Sequence, residues 1–218
     1  MERVQATPSG TVVVVRDASE GLELLMLQRS TRKADYFSGA WVFPGGKVEP
    51  SDLGDDELSR ARSAAVREAN EEAGLHLEPS HVLPLNRWEP EPSARQPRPF
   101  SAWIFLCVSD QTPVIDDHEI VDISWMRPHD CLAAFHQGSM VLAPPTWVTV
   151  LQLAQFHTVA DLMAWARARQ PEHFYTRFGE EDGTELLLWH GDELFDGTPG
   201  GRHRARMESG VWSYERNS

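Results

Sequence analysis

The segment Glu57–Ala73 constrains the fold more than any other part of the chain. It contains no Pro or Gly, and Leu58, Ala61, Ala65, Ala69 and Ala73 recur at helical spacing. Asp55 and Asp56 stand where a helix N-terminus favours acids, and Gly74 stands where a left-handed closing residue is needed. A helix over 57–73 follows. Just upstream, residues 38–56 (SGAWVFPGGKVEPSDLGDD) are dense in Gly, Pro and Asp, which predicts an irregular stretch whose backbone approaches something closely.

Around this helix the pattern alternates. Residues 10–16 and 22–28 read as strands joined by the turn DASEG, and further strands are expected at 81–88, 100–108 and 120–126, the second of these central. A Pro-rich loop separates the first two at 89–99. Helices are expected at 128–137, 146–156 and 159–169, and the tail, 173–215, reads as Gly turns with short strands at 185–190 and 210–215. This order implies the α/β class, a mixed sheet with helices on its faces.

The 218 residues suffice for one domain, or for one domain with an appendage. With 33 Asp+Glu against 20 Lys+Arg, the formal charge of −13 speaks against a broad nucleic-acid surface, which needs a basic stripe. Cys107 and Cys131 form neither a disulfide framework nor a zinc motif, and a reducing cytoplasm is the default compartment. The apolar run Thr11–Val15 ends at Arg16 and Asp17, so neither a signal peptide nor a membrane span is expected.

The helix carries Arg67-Glu68-Ala69-Asn70-Glu71-Glu72-Ala73-Gly74, which sets Glu68, Glu71 and Glu72 on one side within about a turn. Like charges so placed repel, and a hard divalent cation such as Mg²⁺ would reverse the sign of that repulsion. A plain solvated acidic face is the competing reading. Other phosphate and metal motifs are absent: there is no G-x-G-x-x-G, GGKV lacks the P-loop spacing, and HEIVD has Asp122 where a zinc protease needs histidine.

The string GGKVE followed by AAVREANEEAGL (64–75) resembles the signature of the Nudix hydrolases, G-x5-E-x7-R-E-U-x-E-E-x-G-U with U aliphatic. The second half matches; the first departs from it. Gly46 lies seven residues farther from Arg67 than the pattern places it, and Ser59 stands where the first box Glu belongs. Glu57 or Glu49 remains open as its spatial substitute. The resemblance implies a Nudix-type α/β/α sandwich with the box at 46–75 and a loop insertion at 50–57. It places the Nudix domain over 1–140 and a C-terminal extension of helices and short strands over 141–218, packed on the same domain.

It further implies hydrolysis of a nucleoside diphosphate linked to another moiety, with Mg²⁺ or Mn²⁺ held by Glu68, Glu71, Glu72 and the Gly46 carbonyl. Glu119 is expected to add a carboxylate from a later loop, with Asp116 and Asp117 as competitors and His118 at the surface. Arg67 is expected to fix a glutamate rather than to face substrate. Arg29, Arg32, Phe43 and Lys47 are the candidate substrate contacts, and Trp41, Phe43 and Trp103 are either base-stacking or, as is commoner for aromatics in such places, core residues. Arg202, His203, Arg204 and Arg206 form a basic cluster, read as a solvated loop or a phosphate reader. LQRS (27–30), the FPGG segment, APPT (143–146) and LLLWHGDELF (186–195) are similar to the coenzyme A diphosphatase-like branch. That branch implies coenzyme A or acyl-coenzyme A as substrate. ADP-ribose, NADH, a catalytically silent binding module and an isoprenoid diphosphate isomerase are the alternatives. The expected partner is a nucleotide-derived small molecule, with neither nucleic acid nor membrane, and a homodimer is left open.

Overall fold

In the computed structural model, which describes residues 6–31, 38–92, 99–115, 119–208 and 211–217, the expected helix forms over Glu57–Ala73 (α1). Asp56 caps it by accepting from the Ser59 amide, and Ser59 returns the bond to the Asp56 amide, a reciprocal capping box. Gly74 closes it at φ 63°, a left-handed geometry suited to glycine. Ala61, Ala64, Ala65, Ala69 and Ala73 are buried along one face.

Small side chains permit close approach. A Cβ on Gly10 would lie 1.8 Å from the Ala61 carbonyl oxygen, so β1 (Thr7–Ala18) meets α1 backbone to backbone at that point. β1 pairs antiparallel with β2 (Gly21–Arg29) in the register Val15↔Leu24 to Ala18↔Gly21. β3 (Trp41–Val42) pairs with β2, and β4 (Gly45–Lys47) with β1. These two strands interrupt the stretch expected to be irregular, and they are too short to leave a periodic signal. β5 (Leu83–Pro90) starts later than expected because a 3₁₀ turn, Pro79–His81, precedes it. β6 (Phe100–Val108) and β7 (Ile120–Met126) keep their predicted bounds.

The chain divides into two compact units. The larger comprises Pro8–Leu85 and Ala102–Pro171, and in it β6, β1, β2 and β3 lie in that order, with β7 on β2. Val12, Val14, Leu25 and Leu27 share a core with the alanines of α1 and with Phe105, Cys107 and Ile120. By strand alternation Val13, Val15, Leu24 and Met26 point to the other face, and they are equally buried. There α2 (Pro128–His136) packs on β2, and α3 (Pro144–Leu153) on α2. α3 starts on its two prolines, which the first turn tolerates, and α4 (Val159–Ala168) is capped by Thr158. The fold is α/β, a mixed sheet flanked by helices.

The smaller unit comprises Met1–Thr7, Asn86–Ser101 and Glu172–Ser218. β5 runs parallel to β8 (Glu172–Glu181), followed by antiparallel β9 (Thr184–Leu188), β10 (His203–Glu208) and β11 (Val211–Arg216). A short helix, α5 (Glu193–Asp196), lies between β9 and β10. Trp88 stacks on Phe174 at 4.2 Å, and the Trp189 ring meets both edge-on while donating to Thr176 Oγ1 at 2.8 Å. Position 140 lies inside the larger unit, which also holds α3 and α4, and β8 pairs with residues 86–90. The basic cluster is not a solvated loop. Arg204 is 1% exposed and bound to the fully buried Asp192, while Arg206 pairs with Glu181.

Candidate active site

Because β4 pairs with β1 as Gly10↔Gly46 and Thr11↔Gly45, its glycines run beside the C-terminal half of α1. The Gly45 amide donates to Glu72 Oε2 at 3.0 Å. A Cβ on Gly46 would stand 2.1 Å from Glu68 Oε1, so only glycine leaves that carboxylate its place. Glu72 is 8% exposed, and burial pushes its carboxyl up to about 8 against the opposing pull of the Gly45 amide; Glu68 and Glu119 raise it further, and Arg29 lowers it. Glu68 is raised too, by burial first, with Arg67 working against it. Two carboxylates thus lie desolvated beside a glycine strand, each disfavouring the other's charge.

Arg29 enters from the end of β2, at an irregularity in its pairing with β7, and Glu119 from the turn before β7. Their side chains approach to 3.9 Å, and the Ser30 amide donates to the Glu119 carbonyl at 2.8 Å. The structure therefore brings Arg29, Glu68, Glu72, Glu119, Gly45 and Gly46 together. Glu71 lies at the margin with its side chain 54% exposed, held by Arg67 at 2.9 Å.

Arg67 is the hub of the box. Nε and one NH2 hydrogen go to Asp52 at 3.0 and 3.2 Å, NH2 also reaches the Lys47 carbonyl at 3.0 Å, and NH1 reaches Glu68 and Glu71, both at 2.9 Å. The Asp52 bonds hold the guanidinium above its ordinary value despite burial. On the loop Asp52 is the acid bonded to Arg67, Glu49 lies near enough to Glu68 for its charge to raise that carboxyl, and Glu57 accepts from Trp103 Nε1 at 3.2 Å. Sequence reasoning passed over Asp52, since a single acid in a Pro- and Gly-rich insertion carries no periodic signal. Ser59, at the box position, serves the helix cap.

Other candidates separate from the cluster. Phe43 is 3% exposed and belongs to the core, which corrects its assignment as a substrate contact. Lys47 has an exposed side chain on β4, and Trp41 and Trp103 are half-buried. Arg32, Asp116, Asp117 and His118 lie outside the described residues.

Among the described residues, no three His, Cys, Asp or Glu side chains are grouped as a metal site in the arrangement found, in which Arg67 engages Glu68 and Glu71. The donors nonetheless suit a hard cation. All are oxygens, Gly46 clears the space that a Cβ would occupy against Glu68, and Glu72 and Glu68 are raised chiefly by burial, so that a cation beside them would favour their charged forms.

Comparison with known proteins agrees with this geometry. A model of the NUDIX domain matches residues 6–143. Nucleoside triphosphatase NudI of Klebsiella pneumoniae is 31% identical over 126 residues, 55% of this chain and 83% of that protein. Its counterpart in Salmonella arizonae is 29% identical over the same shares. These relatives are named as triphosphatases, so they match the family expected from the box without matching the coenzyme A branch. Among solved structures, a NUDIX hydrolase from Alicyclobacillus acidocaldarius has a TM-score of 0.65 at 20% identity, covering 74% of this chain and 96% of its own. The NUDIX domain of Shewanella oneidensis NrtR, solved with ADP ribose, has a TM-score of 0.52 at 20% identity, covering 77% and 90%. Nudix hydrolases generally use divalent metal ions such as Mg²⁺ or Mn²⁺. With the box on α1 and the family model spanning more than half of its length, the chain belongs to the Nudix family and is a pyrophosphohydrolase.

Proposed function

We propose that the Glu68–Glu72–Glu119 cluster is the catalytic centre of a divalent-metal-dependent hydrolase that attacks phosphorus in a nucleoside diphosphate derivative. The observation that carries this reading is the buried Glu72 carboxyl, bonded to the Gly45 amide and pushed up to about 8 beside Glu68. Glu68, Glu71, Glu72, Glu119 and the Gly46 carbonyl would hold Mg²⁺ or Mn²⁺, which when bound neutralises phosphate charge and makes a water more acidic. Phosphoryl transfer asks the protein chiefly for positioning and charge. Arg29 meets a phosphate oxygen, Glu68 or Glu72 accepts the proton of the attacking water, and Arg67 keeps the glutamates in place.

For the substrate, coenzyme A or an acyl-coenzyme A is the finer reading from the LQRS and FPGG segments, with 3′,5′-ADP and (acyl-)4′-phosphopantetheine as products. Arg29 beside Glu119 suits a bridging phosphate of any nucleoside diphosphate derivative, so its position does not select coenzyme A. Identity to a nucleoside triphosphatase favours nucleoside triphosphates as the second reading. Both cysteines are free and buried, in keeping with the cytoplasm, and among the described residues no helix is long and apolar enough to cross a membrane.

The test is a panel of coenzyme A, nucleoside triphosphates, ADP-ribose, NADH and diadenosine polyphosphates, each with Mg²⁺ and with Mn²⁺, run in ¹⁸O water. Label in a phosphate product supports the reading. No turnover of any member, or label on carbon alone, overturns it. Preference for triphosphates over coenzyme A removes only the finer substrate assignment.

A further inference from the structure

Asp52 is buried, yet it sits in a surface loop whose next residue, Leu53, is 80% exposed. Burying a carboxylate is costly unless its oxygens are bonded. Here both are. Oδ1 accepts from Arg67 Nε at 3.0 Å, and Oδ2 accepts from Arg67 NH2 at 3.2 Å and from the Glu49 amide at 2.7 Å. The loop backbone is fastened to α1 by other groups. Arg60 donates to the carbonyls of Asp52 and Glu49, and Ser63 Oγ donates to the Leu53 carbonyl at 2.6 Å. The loop thus has fastenings to α1 besides the Asp52 carboxylate, whose partner on the helix is Arg67.

A guanidinium has five N–H donors, and each donor of Arg67 is matched: two to Asp52 and one each to Lys47 O, Glu68 and Glu71. NH1 already engages Glu68 and Glu71, and without Asp52 the Nε donor and one NH2 donor would lose their acceptor, with no carboxylate left on that side to hold the fork away from the two glutamates. We propose that Asp52 is a positioning residue: its carboxylate absorbs the charge of Arg67 and fixes the plane of its fork, so that Glu68 and Glu71 stay oriented and available to a divalent cation. The loop inserted before the helix would then be part of the hydrolytic machinery, supplying from outside α1 the acid that Ser59 does not. This inference rests on the reading that the glutamate cluster binds a divalent cation.

The experiment measures Mn²⁺ binding by electron paramagnetic resonance on the full chain, comparing wild type with Asp52→Ala, Asp52→Asn, Asp52→Glu and the loop-fastening variant Ser63→Ala. Loss of the carboxylate is expected to weaken Mn²⁺ binding roughly tenfold in both the Ala and Asn variants, a typical cost for a residue that orients metal ligands. Asp52→Glu should recover part of it, and Ser63→Ala should bind as wild type. On the best substrate of the panel, kcat at saturating Mn²⁺ should fall about 10–100-fold in Asp52→Asn while KM for the nucleotide stays within about twofold. If Asp52→Ala fails to fold, the isosteric Asp52→Asn decides. Wild-type affinity in Asp52→Asn, equal weakening by Ser63→Ala, or no Mn²⁺ binding by the wild type overturns the proposal. Asp52-dependent Mn²⁺ binding without turnover of any substrate would keep it and defeat the proposed hydrolysis alone.

Discussion

Two arginine hubs in this chain use the same fork for opposite ends. In the smaller unit Arg204 grips Asp192 with two bonds of 2.7 Å, and the same carboxylate accepts from the amides of His203 and Leu194; Asp192 is wholly buried and Arg204 nearly so. The third nitrogen of Arg204 goes to Glu181, which Arg206 also holds, so charges and hydrogen bonds are matched within a small network. In the larger unit Arg67 grips Asp52 in the same way but spends its remaining donors on Glu68, Glu71 and a carbonyl. One positive charge there faces three carboxylates, with Glu72 buried close by. The Arg204 knot is a matched structural network with Asp192 and Glu181, and the Arg67 hub holds two glutamates at the edge of a buried third.

The sharpest way to break the comparison is to cut the Arg204 knot. Asp192→Ala leaves the buried Arg204 with only the Glu181 carboxylate and strips two amides of their acceptor, and denaturant unfolding should show a loss of about 3–5 kcal/mol. Joining it with Arg204→Met should restore part of that, since two amides still lack their acceptor. A loss under about 1 kcal/mol would mean that the Arg204 pair is no more structural than a surface bridge.

Next in size is Glu72→Gln. It removes a carboxyl that can take on charge for a cation and leaves a neutral group in the same buried place, so turnover should drop on the order of 100-fold while the metal-free melting temperature at neutral pH stays close to wild type. Retained activity at limiting metal would remove Glu72 from the centre.

The two hubs also differ in pH response. Glu72 holds its proton up to about 8 in the folded chain, against an ordinary 4.5. The native state therefore binds more protons than the unfolded state across that window, and metal-free stability should fall as pH rises through it. At Asp192 burial works upward, but the Arg204 fork and the two amides outweigh it and leave the carboxyl below its ordinary value; its contribution is present above 3.8 and is lost as pH falls through the folded value. Thermal melts in EDTA should therefore decline from mildly acidic to alkaline pH in the wild type and flatten in Glu72→Gln. A wild-type curve that rises over that range would contradict the picture of Glu72.

The smallest effect sharpens the role of the loop acid. Ser59→Glu restores the family's box residue at the third position of α1, where Glu also serves a capping box. With Asp52 already on Arg67, stability should stay within about 0.5 kcal/mol and kcat within about twofold. A large gain in kcat would show that the loop acid replaces the box residue incompletely.

Much of this was legible in the sequence, and for local reasons. The bounds of α1 follow from an acid cap, an unbroken run and a left-handed glycine, and β6 and β7 from apolar runs ended by polar links. Glu68 and Glu72 face the glycines of β4, and Arg29 lies 3.9 Å from Glu119. What escaped depends on contacts distant along the chain. The tail strands find their partner in residues 86–90, which no periodicity announces. Arg204 looked solvated because its acid lies 12 residues away across a turn. For Phe43, in a Pro-Gly segment, base contact and core were both open, and it is buried. Asp52 was invisible for a related reason: a loop acid acquires meaning only once the helix has placed Arg67 beside it.

The contact between Gly10 and Ala61 has a mechanical consequence. With no room for even a methyl group between strand and helix, α1 can neither slide along β1 nor roll over it without a backbone collision. The helix is a fixed mount. Accommodation of nucleotides of different size therefore falls to the connecting segments around it, while the glutamates keep one bearing on the phosphates, so that diversification by loop exchange would leave the reaction itself undisturbed.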